Sequence, residues 1–209
     1  MALDLEEQEQ LAALKAWWKQ YGTRVVIGLA VVVIAIAGLR GWQIWSARQA
    51  SEASQLFEQA MQAASLGDEK GLKEVTARIM ENYSGSAYAT PAAWLAGKHN
   101  HASGAAESAA AQYAFALEHA RDDGLKALAR LRLAAVRFDQ GQAEAALDLL
   151  QTAPPAAFAG LHEGLRGDVL LSLGRKDEAR TAYRSALEKL DARSPLRPLF
   201  EIKLDGLGG

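Results

Sequence analysis

The sequence predicts an all-α protein: an N-terminal transmembrane helix followed by an α-solenoid of about four helical hairpins. Three observations predict it. One apolar run near the N-terminus is bracketed on both sides by tryptophan and arginine. Glycines then recur at a spacing of 37, 37 and 33 residues, at Gly67, Gly104, Gly141 and Gly174. Outside the apolar run, no window alternates apolar and polar residues with β-branched enrichment, so no strand is expected.

The apolar run comes first. Between Arg24 and Arg40 lie 15 uncharged residues, Val25 to Leu39, fewer than the roughly 20 that a bilayer core asks of a helix. The flanks supply the rest. Trp17, Trp18 and Tyr21 precede the run and Trp42 and Trp45 follow it, so four of the five tryptophans bracket this segment. Amphipathic rings at both ends are what two membrane–water interfaces select. Arg24 and Arg40 can lay their stems along the helix and reach outward to headgroups. Tyr21 to Trp45 is then a span of 25 residues, about 37 Å at 1.5 Å per residue. A soluble core helix is the competing reading, but the run is apolar on every side, which leaves only deep burial or lipid. Cleavage is the other. "AIA", Ala35 to Ala37, has the small-x-small form of a signal-peptidase site. The leader before it contains Asp4, Glu6, Glu7 and Glu9, unlike a short basic signal region, and an uncleaved anchor is expected. Lys15, Lys19 and Arg24 precede the span against Arg40 and Arg48 after it. That leans towards an inside N-terminus.

Beyond Trp45 the pattern is helix, turn, helix. Ala50 to Leu66 carries Leu56, Phe57, Ala60, Met61 and Ala63 and stops at Gly67, and "EKGLKEVTARIMENY" follows with Leu72, Val75 and Ile79 at helical spacing. Aligning on the four glycines brings other positions into register. Seven residues earlier stand Ala60, Gly97, Ala134 and Gly167, all small. After the last three glycines, the fifth residue is Ala109, Ala146 or Ala179, the ninth Tyr113, Leu150 or Tyr183, and the twelfth Ala116, Ala153 or Ala186. Small residues let two antiparallel helices approach, a large side chain fills the gap, and glycine turns the corner. The organisation expected is a leader over 1–20, an anchor over 21–45, a repeat domain over 46–205 and a flexible tail over 206–209.

Charge and composition exclude several functions. The net charge is −2 without blocks, so no basic surface exists to neutralise phosphates, and nucleic acid is not an expected partner. The chain has no cysteine, which removes disulfides, thiolate metal sites and cysteine nucleophiles. His99 and His101 are two apart and point to different helix faces, and "HEGLR" at His162 lacks the second histidine of a zinc-protease helix. All four histidines, His119 included, read as solvated surface residues. No phosphate loop, serine elbow or Ser-x-x-Lys spacing occurs. No enzyme activity, cofactor or metal is expected. What remains is surface: a stack of hairpins offers a concave groove lined by the first helix of each unit. Those helices carry Arg130, Arg132, Arg137, Phe138, His162, Arg166 and Asp168, a mixed-charge set suited to an extended polypeptide or a partner's helix.

The register positions resemble the tetratricopeptide repeat, small-x6-Gly-x4-Ala-x3-aromatic-x2-Ala. The best unit is "GDVLLSLGRKDEARTAYRSALEKL", Gly167 to Leu190; the first, around Gly67, is degenerate, with Leu72 and Thr76 at the Ala and aromatic positions. With the anchor, the order of parts resembles the YfgM family of ancillary Sec translocon subunits. The likeness is most specific at "GLRGW" (Gly38 to Trp42), "LKALARLRLA" (Leu125 to Ala134), "LRGDVLLSLGRKDEAR" (Leu165 to Arg180) and "IKLDGL" (Ile202 to Leu207). The loop "TAPPAAFAG" and the Gly-rich end depart from it. The resemblance implies a single-pass inner-membrane protein of Gram-negative bacteria, N-terminus cytoplasmic and repeat domain periplasmic. Its implied partners are Sec translocon subunits, a membrane-anchored periplasmic peptidyl-prolyl isomerase and exported polypeptides, with membrane lipid around the anchor. The implied role is to help exported chains reach periplasmic chaperones. An anchored adaptor for another envelope complex is the second reading.

Overall fold

The computed structural model describes residues 2–208; Met1 of the leader and Gly209 of the tail lie outside them. Among the described residues every regular element is a helix: α1 (Ala2–Leu66), α2 (Glu69–Asn82), α3 (Ala89–Ala102), α4 (Ala106–His119), α5 (Asp123–Asp139), α6 (Ala143–Leu149), α7 (Ala156–Ser172), α8 (Lys176–Lys189) and α9 (Arg197–Asp205). The chain divides into two compact units, Met1–Gln49 and Ala50–Gly209. In the first, Val25, Ile27, Leu29, Val31, Ile34 and Leu39 of α1 are all exposed. Helix α1, which runs on into the second unit, is the one helix long and apolar enough to cross a membrane among the described residues.

The second unit is a row of hairpins. The last part of α1 pairs with α2 through Leu56, Ala60, Ala63, Leu72 and Ile79; α3 pairs with α4, α5 with α6 and α7 with α8. Gly67, Gly104, Gly141 and Gly174 turn these hairpins at φ of 71°, 82°, 75° and 75°, backbone that costs a side-chain-bearing residue about 1–2 kcal/mol. The same closing bonds recur. In hairpin 4, Gly174 N–H donates to the Leu171 carbonyl at 3.0 Å and Arg175 N–H to that of Leu170 at 2.9 Å; in hairpin 3, Gly141 and Gln142 donate to Phe138 and Arg137 at 2.8 and 2.9 Å. These satisfy carbonyls that a helix end leaves orphaned. At the other ends, Asp68 and Asp122 accept from the amides of Gly71 and Leu125 at 2.9 and 3.0 Å, capping α2 and α5.

Alanine supplies well over half of the buried apolar residues, and the few large side chains are shared between hairpins. Tyr113 packs with Ala109, Leu133 and Val136, Leu150 with Ala134 and Val169, and Tyr183 with Leu170 and Phe200. The small positions matter because they are occupied by others. A Cβ on Gly97 would lie 2.8 Å from the Tyr113 ring, and one on Gly167 2.5 Å from that of Tyr183. Helix α9 closes the row by laying Phe200 against Gly164. Two expectations need correction. Ala153, in register with the buried Ala116 and Ala186, is exposed, because α6 stops at Leu149 ahead of Pro154 and Pro155. His162, expected at the surface, is 7% exposed, because α7 turns it towards α6 and α8.

Candidate interaction surface

The first helices of hairpins 1 to 3 together floor an apolar groove of about 380 Å³. From α1 come Phe57 and Met61, one turn apart; from α3, Pro91, Trp94, Leu95 and Lys98; from α5, Leu125 and Leu128. Spacings of three and four place each set on one helix face. Met61 is 51% and Leu125 41% exposed, so hydrophobic side chains that the core does not claim converge here. Trp94 is the centre. Its indole meets Tyr113 edge-on with centroids 6.2 Å apart, Arg132 stands 5.7 Å over its ring, and its buried Nε1–H has no hydrogen-bond partner. Cations come from Lys98 and Arg132, at the edge of an otherwise uncharged lining.

Of the residues singled out from sequence, Arg132 alone adjoins this groove. Arg130 lines a separate recess with Asp123, Lys126 and the loop Thr152 to Pro155. Arg137 ties hairpins 2 and 3 together, donating to Glu107, Gln140 and Gln142 at 3.3, 3.1 and 3.2 Å. Phe138 is half-buried against the Ala134–Leu150 cluster. Asp168 accepts from the Tyr183 hydroxyl at 2.7 Å and from Lys203 at 2.5 Å, joining α7, α8 and α9. Burial, and then this bond to Asp168, push the Tyr183 phenol well above its usual range. His162 and Arg166 face α6 and α8 across a second cleft. The remaining histidines are modest: His101 meets Asp139 at 2.9 Å and His119 stacks on Phe115 at 3.9 Å. No group of three or more metal-ligating side chains occurs among the described residues. Around the apolar segment, Trp17, Trp18, Tyr21, Trp42 and Trp45 are all exposed, and Arg24 lies 5.8 Å over the Tyr21 ring; Arg40 is exposed as well.

Sequence reasoning expected a groove on the first helices but missed the apolar residues that line it. The signal available was Trp94, the one tryptophan that the bracketing of the apolar span leaves unaccounted for.

A row of glycine-turned hairpins with a groove on its first helices defines a helical-repeat protein of the binding kind. Accordingly, residues 15–209 match the family model described as a tetratricopeptide repeat-like domain. Over 213 residues the chain is 31% identical to the ancillary SecYEG translocon subunit of Aggregatibacter actinomycetemcomitans, covering 99% of this chain and 100% of that one. It is 31% identical over 207 residues to the ancillary SecYEG translocon subunit of Escherichia coli (strain K12), covering 96% of each. The subunit of the same name from Neisseria gonorrhoeae is 29% identical over 211 residues. The chain belongs to this tetratricopeptide repeat-like family of ancillary translocon subunits.

Proposed function

We propose that this chain is a non-enzymatic inner-membrane protein that associates with the SecYEG translocon and binds apolar stretches of exported polypeptides along its first-helix groove. The groove is the observation that carries this reading: exposed Met61 and Leu125 beside Trp94 and Leu95 form an apolar floor that the fold itself leaves unfilled. An unfolded polypeptide leaving a channel offers the matching chemistry, short apolar runs with an unsatisfied backbone. In this reading residues 1–20 are cytoplasmic, 21–45 span the membrane with Trp17, Trp18, Tyr21, Arg24, Arg40, Trp42 and Trp45 at its two interfaces, and 46–205 lie in the periplasm, with 206–209 as a tail. The peptidyl-prolyl isomerase and the periplasmic chaperones are the downstream partners. Of the seven first-helix residues expected to meet a partner, Arg132 supplies the charge beside the groove, while Arg130, Arg137, Phe138, His162, Arg166 and Asp168 lie away from it. Relatives named as translocon subunits over their full length support the association, and the charge bias of the flanks supports the orientation.

The test is photocrosslinking of the full-length chain in its native membrane from Met61 and Leu125. Adducts with many different exported chains, together with co-purification of translocon subunits in mild detergent, are the expected result. One fixed adduct without translocon subunits would make the protein an adaptor of another complex.

A further inference from the structure

Hairpin 3 lacks half of its second helix. Helices α4 and α8 each run 14 residues and α6 only seven. Pro154 and Pro155 forbid continuation, since proline lacks the amide hydrogen and biases the residue before it away from helical backbone. The missing seven or so residues amount to about 10 Å of helix. Their absence leaves a cleft of about 670 Å³ that runs along α7 from Ala156 to Leu170, bordered by Leu147 and Leu150 on one side and by Arg175 and Lys189 at the two ends of α8.

His162 sits in the floor of this cleft. Twelve residues before their turn glycines, hairpins 2 and 3 carry Ala92 and Ala129 at the same register position, both fully buried. Ala92 packs against Ile79 of α2, and Ala129 against Ala116 of α4. A preceding second helix therefore covers this position wherever that helix is complete. In hairpin 4 the cover is missing and the alanine is a histidine. The His162 side chain is only 9% exposed, and the nearest carboxylate, Glu163, stands 4.0 Å from Nδ1, beyond hydrogen-bond reach. Neither ring nitrogen makes a hydrogen bond of ordinary geometry, although the Leu150 backbone lies alongside the ring. A buried donor or acceptor left unpaired costs about 1–3 kcal/mol, a cost that an aliphatic filler would avoid. Glu163 takes both Arg166 at 3.4 Å and Lys189 at 3.1 Å, and Glu178 takes Arg175 at 2.7 Å, so three cations share two carboxylates and the cleft keeps one positive charge in excess. What the cleft lacks is a helix-sized filling whose apolar side meets Leu147, Leu150 and Ala159 and whose polar side meets the charged rim of Arg166, Arg175 and Lys189, with a hydrogen-bonding group for the His162 ring.

We propose that this cleft receives a two-turn helical segment of a second protein, in place of the missing turns of α6. That segment presents small and aliphatic side chains to Leu147, Leu150 and Ala159, and a carboxamide or hydroxyl to the His162 ring. The site is separate from the first-helix groove and completes the helix layer of the repeat rather than holding a transient client.

The experiment places a photocrosslinking residue at Ala153 and, separately, at Ala159 in the full-length chain in its native membrane. Both positions should give one adduct with the same partner, mapped by peptide mass spectrometry to a helical stretch of the stated chemistry. His162→Gln keeps a donor and an acceptor and should keep the adduct. His162→Leu should cut its yield at least about fivefold while holding or raising the thermal midpoint of the free protein, so that the loss is not unfolding. The proposal is overturned by the absence of any protein adduct at both positions, by an adduct with lipid or a second copy of this chain, by a crosslink mapped to an extended segment, or by His162→Leu crosslinking as the parent does. Adducts from Met61 and Leu125 report on the groove alone, so either reading can fail without the other.

Discussion

Hairpins 3 and 4 solve one packing problem with different side chains. In hairpin 4 the first helix offers Gly167 and the second answers with Tyr183; in hairpin 3 the pair is Ala134 and Leu150. Hairpin 2 repeats the first solution with Gly97 and Tyr113. The side chain removed on one helix is matched by the bulk added on the other, as close packing demands of neighbours that share a fixed volume. Tyr183 also reaches Asp168 with its hydroxyl, a bond for which Leu150 has no group. The hairpin with the aromatic has a 14-residue second helix and the one with leucine has seven. The repeat is thus a rule about paired volumes, and residue identity follows from it.

The largest effect expected from breaking that pairing is at hairpin 4. Tyr183→Leu should cost about 3 kcal/mol in a chemical denaturation series, from the cavity over Gly167 and the lost hydroxyl bond to Asp168, which keeps Lys203 alone. Gly167→Ala alone should cost about 2 kcal/mol, since the new methyl meets a ring with nowhere to go. The double variant, which rebuilds hairpin 3's pair inside hairpin 4, should recover at least about 1 kcal/mol of the summed loss, and strict additivity would refute the volume rule. A smaller effect tests what the hairpins have in common. Gly141→Ala and Gly174→Ala should each cost about 1 kcal/mol by the same measurement, equally in both hairpins, because the penalty is one of backbone conformation.

The smallest effect distinguishes the hairpins by pH. Burial holds the His162 imidazole below its ordinary value of 6.5. Below pH 6.5 the unfolded chain takes up a proton that the folded one refuses, so stability present above that pH declines as the pH falls. Denaturation midpoints followed from pH 7.5 to 5.5 should drop more steeply for the parent than for His162→Gln. Matching slopes would remove the histidine from the account.

The turns and the paired positions were legible because each rests on a local rule. Only glycine takes the left-handed corner without strain, so Gly67, Gly104, Gly141 and Gly174 mark the hairpins on their own. The all-helical class and the apolar anchor segment followed from periodicity and from the Trp and Arg flanks in the same way. A groove on the first helices was expected, but its apolar lining was not legible, because Phe57, Trp94 and Leu125 are more than 30 residues apart from one to the next and meet only through the stacking of helices. The burial of His162 was hidden for a related reason. It depends on how α7 is rotated and on turns that α6 does not have, and the proline pair that ends α6 lies outside the register that aligned Ala153 with Ala116 and Ala186. Among the candidate partner residues, Arg137 and Asp168 have the charge of a binding surface but are engaged within the fold, and only the contacts reveal it.

An interior made mostly of alanine alters which changes this chain can absorb. Trimming alanine to glycine removes one methyl and costs about 0.5–1 kcal/mol of helix preference. Growth at the same positions drives helices apart and costs about 1–3 kcal/mol at each contact. In most proteins the interior is lost through hollowing; here it would be lost through swelling. A saturation survey of Ala60, Ala93, Ala129 and Ala182 should therefore retain glycine and serine and reject valine, leucine and phenylalanine, a tolerance profile reversed from that of a leucine-filled core.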